Sequence, residues 1–114
     1  MGMAKMLDAQ RRQKGEREQW AFVLYLSSRN TRLSKRAIQN LNEICEEHLK
    51  GKYNIEIVDI EEHPEIGIEK QIIASPTLIR ELPEPLKRVI GDLSETEKAL
   101  VALEIKKISR NSTY

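Results

Sequence analysis

Apolar side chains fall along this chain in blocks whose period changes, and each change marks an element. Trp20-Ala-Phe-Val-Leu-Tyr-Leu26 is seven consecutive apolar or aromatic residues, the pattern of a strand covered on both faces and therefore central in its sheet. The polar turn Ser27 to Thr31 follows, with Asn30 or Thr31 placed to cap a helix. Leu33, Ala37, Ile38, Leu41, Ile44, Cys45, His48 and Leu49 then recur at three- and four-residue spacing, one stripe of a helix that Gly51 ends. Tyr53, Ile55 and Ile57 alternate with polar residues, so Tyr53 to Ile60 reads as a second strand. Strand, helix and strand in that order predict a parallel crossover pair.

Pro64 suits the first turn of a short helix through about Ala74. Ser75 to Ile79 starts a third extended segment, Leu82-Pro-Glu-Pro85 is a turn, and Leu86 to Ile90 is a short fourth strand closed by Gly91-Asp92. Ser94-Glu-Thr-Glu97 is a capping box for a last helix whose apolar set is Ala99, Leu100, Val101, Leu103, Ile105 and Ile108. Before these elements, residues 1–19 carry five bases and three acids without an apolar repeat, and predict a flexible lead; residues 109–114 predict a frayed tail. The domain is then 20–108. Its order is β-α-β-α-β-β-α, an α/β arrangement that resembles the thioredoxin fold.

Composition removes several function classes. The chain has 114 residues, enough for one core, and 19 basic against 18 acidic residues leave a charge of +1. That balance argues against nucleic acid as a partner, because polyanion binding runs on a basic surplus. The acids gather instead: Lys52 to Lys70 holds six acids and two bases, a net of −4. A single cysteine excludes an internal disulfide framework and any two-cysteine redox motif. No apolar run suits a membrane span or a secretory signal, so the expected location is cytoplasmic.

The candidate chemistry is thin. A thiol oxidoreductase needs an activated cysteine at the turn after the first strand, and that turn is Ser27-Ser28-Arg29-Asn30-Thr31. Cys45 lies on the apolar stripe instead, where it reads as a small core residue; an oxidoreductase using Cys45 is the enzymatic rival reading. His48 and His63 are the two histidines, one at a helix end and one before a helix, and no metal site is expected from them. No nucleotide loop or serine elbow is present, so the chain reads as no enzyme and as needing no cofactor. Arg32, Lys35 and Arg36 on the first helix and Lys87-Arg88 beside the proline-rich turn are the basic features suited to gripping a partner's carboxylates.

Several blocks together carry a closer likeness. They are L-Y-L-S-S-R-N-T at Leu24 to Thr31, S-K-R-A-I-Q-N-L at Ser34 to Leu41, Y-N-I-E-I-V-D-I at Tyr53 to Ile60, Q-I-I-A-S-P-T-L at Gln71 to Leu78, and L-P-E-P-L-K-R-V-I-G-D-L-S-E-T-E-K-A-L at Leu82 to Leu100. With these the chain resembles the KaiB family, the small fold-switching components of the Kai circadian system, from about Phe22 to Leu103.

The resemblance implies a non-catalytic adaptor that binds a KaiC-like ring ATPase and regulates its phosphorylation state or output signalling, with a clock-output histidine kinase as a further partner. It implies a thioredoxin-like state and an alternative KaiB ground-state fold of the C-terminal half, in which the chain forms a homo-oligomer, dimer or tetramer. By the same resemblance Arg36, Lys87 and Arg88 are partner-binding, and Pro76, Pro83, Pro85, Ala102 and Glu104 are fold-switch positions, with Pro76 cis in the thioredoxin-like state. X-Pro isomers lie within about 0.5–1 kcal/mol of each other, which gives the prolines a physical reason to act as pivots. The family's turn glycine and proline are Arg29 and Arg32 here, and its G-L-D is Ala102-Leu103-Glu104. Alanine for glycine in a helix interior is worth roughly 0.5–1 kcal/mol, which predicts a bias toward the thioredoxin-like form. A stand-alone signalling or stress-response adaptor outside a clock is the alternative.

Overall fold

The structure, a computed structural model, describes residues 19–106. The predicted lead up to residue 18 and the tail from residue 107 lie outside the described residues. Among the described residues seven elements follow in the expected order: β1 (Trp20–Leu26), α1 (Arg32–His48), β2 (Tyr53–Asp59), α2 (Pro64–Glu69), β3 (Thr77–Leu82), β4 (Lys87–Ile90) and α3 (Thr96–Ala102). The sheet order is β2-β1-β3-β4, with β1 parallel to β2 and antiparallel to β3, and β3 antiparallel to β4. The apolar run Trp20–Leu26 is therefore central, as its two-sided hydrophobicity requires.

The pleat divides that run between two cores. Phe22, Leu24 and Leu26 join Leu78, the α1 stripe (Ala37, Leu41, Ile44, Cys45) and Leu100 and Leu103 in the larger cluster. Val23, Tyr25 and Ile79 point the other way, toward Ile66 and Ile72 around α2. Each large apolar side chain buried this way contributes about 1.5–3 kcal/mol, so most of the stability sits on the α1/α3 face. The α2 face is thinly covered, by a helix of six residues.

Helix ends depart from expectation in instructive ways. At α1 the Thr31 hydroxyl accepts the Ser34 N–H at 3.1 Å, the expected cap, whereas Leu33 stays 50% exposed and His48 is exposed although both belong to the apolar periodicity. The second helix stops at Glu69 rather than about Ala74, because Gln71 turns left-handed (φ 57°) and the Ile72 and Gln71 N–H groups bond back to Gly67 and Ile68. The same wrap ends α3 at Ala102: Glu104 has φ 58°, and the Ile105 and Glu104 N–H groups return to Leu100 and Val101. Leu103 and Ile105 pack from this wrap, not from helix, and Ile108 lies outside the described residues. Ala102 is consequently the last helical residue, not an interior one, and Glu104 is outside the helix.

The predicted capping box does not form. Glu95 occupies the cap position without a side-chain bond, and the Ser94 N–H goes to Asp92 Oδ1 at 3.0 Å, so an aspartate-centred turn replaces it. Among the described residues no helix is long and apolar enough to cross a membrane.

Candidate partner-binding surface

The thin cover over the second face leaves a groove. It has a volume of about 680 Å³ and is lined by Ile60, Pro64, Gly67, Ile68, Ile72 and Ile73 together with Gln71. Ile68 is 80% exposed and Ile73 88%, the most exposed large apolar side chains among the described residues. They are exposed because α2 ends one turn after Ile66 reaches the sheet, so only Ile66 and Ile72 can turn inward. Glu61, Glu62, Glu65 and Glu69 stand exposed nearby in sequence, and give the segment an acidic margin.

Arg88 borders this groove. Its guanidinium donates to the carbonyls of Lys70 at 3.0 Å and Gln71 at 3.1 Å, satisfying acceptors left free at the end of α2. Lys87, its neighbour, points to the opposite face and lies 3.2 Å from Glu104 Oε2. Strand alternation separates the pair, so Lys87 and Arg88 do not form one patch. Arg36 is farther still, on α1, where Nη1 is 3.6 Å from Asp92 Oδ2; Asn40 also holds that loop by donating to the Asp92 carbonyl at 2.8 Å. The three basic residues thus occupy three sites, each tied to a different loop or helix end.

The prolines expected to act in fold switching flank β3, Pro76 before its first residue and Pro83 and Pro85 after its last. Peptide bonds before Pro76, Pro83 and Pro85 are all cis, Pro76 is buried beside β3, and Pro83 and Pro85 form the β3–β4 turn. Arg80 is the residue sequence reasoning missed: it is 1% exposed, in a strand whose period puts Leu78, Arg80 and Leu82 on the face toward α1 and α3. That alternation was the available signal, since it places a guanidinium among leucines.

The turn after β1, where a thioredoxin-like enzyme keeps its thiol, is a hydroxyl and carboxylate network. Ser27 N–H donates to Ser75 Oγ at 2.8 Å, and Ser27 Oγ donates to Glu61 Oε2 at 2.8 Å. Asp59 Oδ1 accepts the N–H groups of Glu61 at 2.9 Å and Ser28 at 3.1 Å, and these bonds, Glu61's first, hold its carboxyl below the usual value. Cys45 is fully buried, and burial pushes its thiol up to about 12. A thiol held that far from ionisation is a poor nucleophile. Among the described residues no group of three or more His, Cys, Asp or Glu side chains is arranged to hold a metal ion.

Comparison with known proteins agrees with this architecture. The chain is 48% identical over 82 residues to the circadian clock protein KaiB3 of Synechocystis sp., covering 72% of this chain and 79% of that one. It is 40% identical over 89 residues to the circadian clock oscillator protein KaiB of Thermostichus vulcanus, covering 78% and 82%. Among solved structures, the N-terminal domain of Synechococcus elongatus SasA superposes with a TM-score of 0.64 at 13% identity, covering 83% of this chain and 92% of that one. Chloroplastic thioredoxin z gives 0.62 at 17% identity, covering 89% and 88%, and these two likenesses establish a thioredoxin-like fold. With residues 23–105 matching the KaiB domain, the chain belongs to the KaiB family.

Proposed function

We propose that this protein is a non-catalytic clock adaptor that docks on a KaiC-like ring ATPase in the cytoplasm and regulates its phosphorylation state or output signalling. The observation that carries the reading is the KaiB domain spanning residues 23–105, in a chain whose most similar relatives here are named circadian clock proteins. The geometry supports it through the groove beside α2: a KaiB-family domain that leaves Ile68 and Ile73 almost fully exposed has an apolar surface suited to a macromolecular partner. Arg88, on the groove's margin, is the basic residue best placed to contribute, with Arg36 and Lys87 engaging from other sides. The buried, weakly acidic Cys45 speaks against the thiol-enzyme rival.

The fold shared with the SasA domain supports a second reading, a stand-alone signalling adaptor that communicates with a histidine kinase outside a clock. In either case the resting form is a homo-oligomer, dimer or tetramer, and the C-terminal half has an alternative packing that pivots on Pro76, Pro83, Pro85, Ala102 and Glu104.

Size-exclusion chromatography with the host's KaiC-like ATPase and ATP, after incubation for hours, tests the leading reading. Co-migration is the expected result. Failure to co-migrate, with a kinase sensor domain retaining this protein, transfers the assignment to the second reading.

A further inference from the structure

One guanidinium joins three segments that are far apart in sequence. Arg80 lies on β3 with its guanidinium carbon 5.5 Å from the ring centroid of Trp20, the first residue of β1. Its Nη1–H donates to the Leu103 carbonyl at the end of α3, and its Nη2–H donates to the Pro85 carbonyl in the β3–β4 turn at 2.6 Å. Nε has no partner. Both acceptors are carbonyls that the backbone leaves to other donors: Leu103 is the C-cap of α3, and its helix supplies no further N–H to it. The turn around Pro83 and Pro85 is short of N–H groups because proline has none.

We propose that Arg80 is a conformational latch: its guanidinium holds the end of α3 and the proline-rich turn against the sheet, so that residues 83–106 open as one unit when it is withdrawn. Apart from Arg80, the segment is held by the apolar contacts of Leu93, Ala99, Leu100 and Leu103 and by the bonds of Arg36 and Asn40 to Asp92, while its own secondary structure is weak. α3 is seven residues long, too short to persist without tertiary contacts. β4 is a four-residue edge strand that pairs, among the described residues, with β3 alone. Withdrawal of the guanidinium leaves two carbonyls without donors, a local cost borne at the turn and at the α3 end. The β1–α1–β2 portion shares this core but makes neither bond, and the parallel β1–β2 ladder pairs without them.

Native-state hydrogen exchange by NMR on the full chain tests the latch, comparing the wild type with R80M and R80K. Methionine keeps an unbranched apolar stem and removes every donor; lysine keeps the charge but presents one ammonium where two separated carbonyls need donors. In R80M the amides of Leu103, Ile105 and Lys106, which close the α3 end, exchange about tenfold faster or more, while Phe22 and Leu24 keep their wild-type rates. R80K gives a smaller acceleration at the same three amides. Trp20, the single tryptophan, changes its emission in R80M as the cation leaves its ring. Equal acceleration in β1 and at Leu103 to Lys106 overturns the proposal, since Arg80 would then support the whole fold alike; so do unchanged rates at Leu103 to Lys106. If R80M does not fold, the R80K pattern decides by the same criterion.

Discussion

Lys87 Nζ stands 3.2 Å from Glu104 Oε2, and this pair connects the edge strand β4 to the residue that closes α3 in a left-handed turn. The pair is half exposed, so it contributes well under about 1 kcal/mol. Its more telling feature is the backbone of Glu104, at φ 58°, a conformation that a side chain disfavours by about 1–2 kcal/mol.

Gln71 closes α2 with φ 57° and makes no side-chain hydrogen bond among the described residues, so it isolates that backbone cost. Gln71→Gly should raise stability by about 0.5–1 kcal/mol, part of the relief being returned as unfolded-chain entropy. Glu104→Gly should gain less, because it also loses Lys87. Urea midpoints of the two variants against wild type check the ranking; a destabilised Gln71→Gly would contradict the left-handed assignment.

Ile68 and Ile73 should matter for capture and not for folding. Ile68→Ser with Ile73→Ser leaves the urea midpoint within about 0.5 kcal/mol of wild type, because surface changes of this kind cost little. The same double variant should weaken co-migration with the KaiC-like ATPase by about tenfold or more, the effect of removing central apolar contacts. Arg88→Ala, on the groove side, should weaken it more than Lys87→Ala, which faces away.

Cys45 should resist alkylation. With the thiol pushed from 9.0 to about 12 by burial, iodoacetamide should label the folded chain at least about a hundredfold more slowly than a free thiol at pH 8. Because the folded chain holds this proton more tightly than the unfolded one, its stabilising effect is complete below the unfolded value and is lost as pH rises through the folded value. Tyr53, raised from 10.0 to about 12 chiefly by its 2.6 Å hydrogen bond to Glu46, acts in the same direction. Wild-type stability should therefore fall between pH 9.0 and about 12, and less steeply in Cys45→Ala.

At the acid end the sign reverses. Asp59, held low chiefly by the Glu61 N–H, and Asp92, held low chiefly by Ser94, bind their protons less tightly in the folded chain. Their contribution is present above the ordinary value of 3.8 and is lost as pH falls below it. Asp59→Asn and Asp92→Asn should each flatten the loss of stability seen on acidification, measured by urea midpoints between about pH 6 and 2.5.

Much of the architecture was legible because apolar period is a local property. The unbroken run Trp20–Leu26 announced a central strand, and the α1 stripe announced which side faces the core. Helix ends were less legible: α2 and α3 both stop at residues with no glycine or proline to mark them, because Gln71 and Glu104 adopt a left-handed turn that their own type does not favour. The capping-box pattern at Ser94 to Glu97 was overruled by Asp92, which offers the Ser94 N–H a nearer acceptor.

The candidate surface divides in the same way. Basic and apolar residue types could be named from their positions, but their grouping could not. Lys87 and Arg88 are neighbours in the chain and lie on opposite sides of the sheet, while Arg80, Trp20, Pro85 and Leu103 are distant in the chain and meet at one guanidinium. The order of residues alone determined the elements, the family motifs and which face of each element is apolar, since those follow from spacing within one segment. Which acceptor each arginine finds, and which isoleucines stay in water, was decided only when the sheet closed and α2 proved too short to cover it. Such contacts depend on atoms brought together across the whole chain, and no local period encodes them.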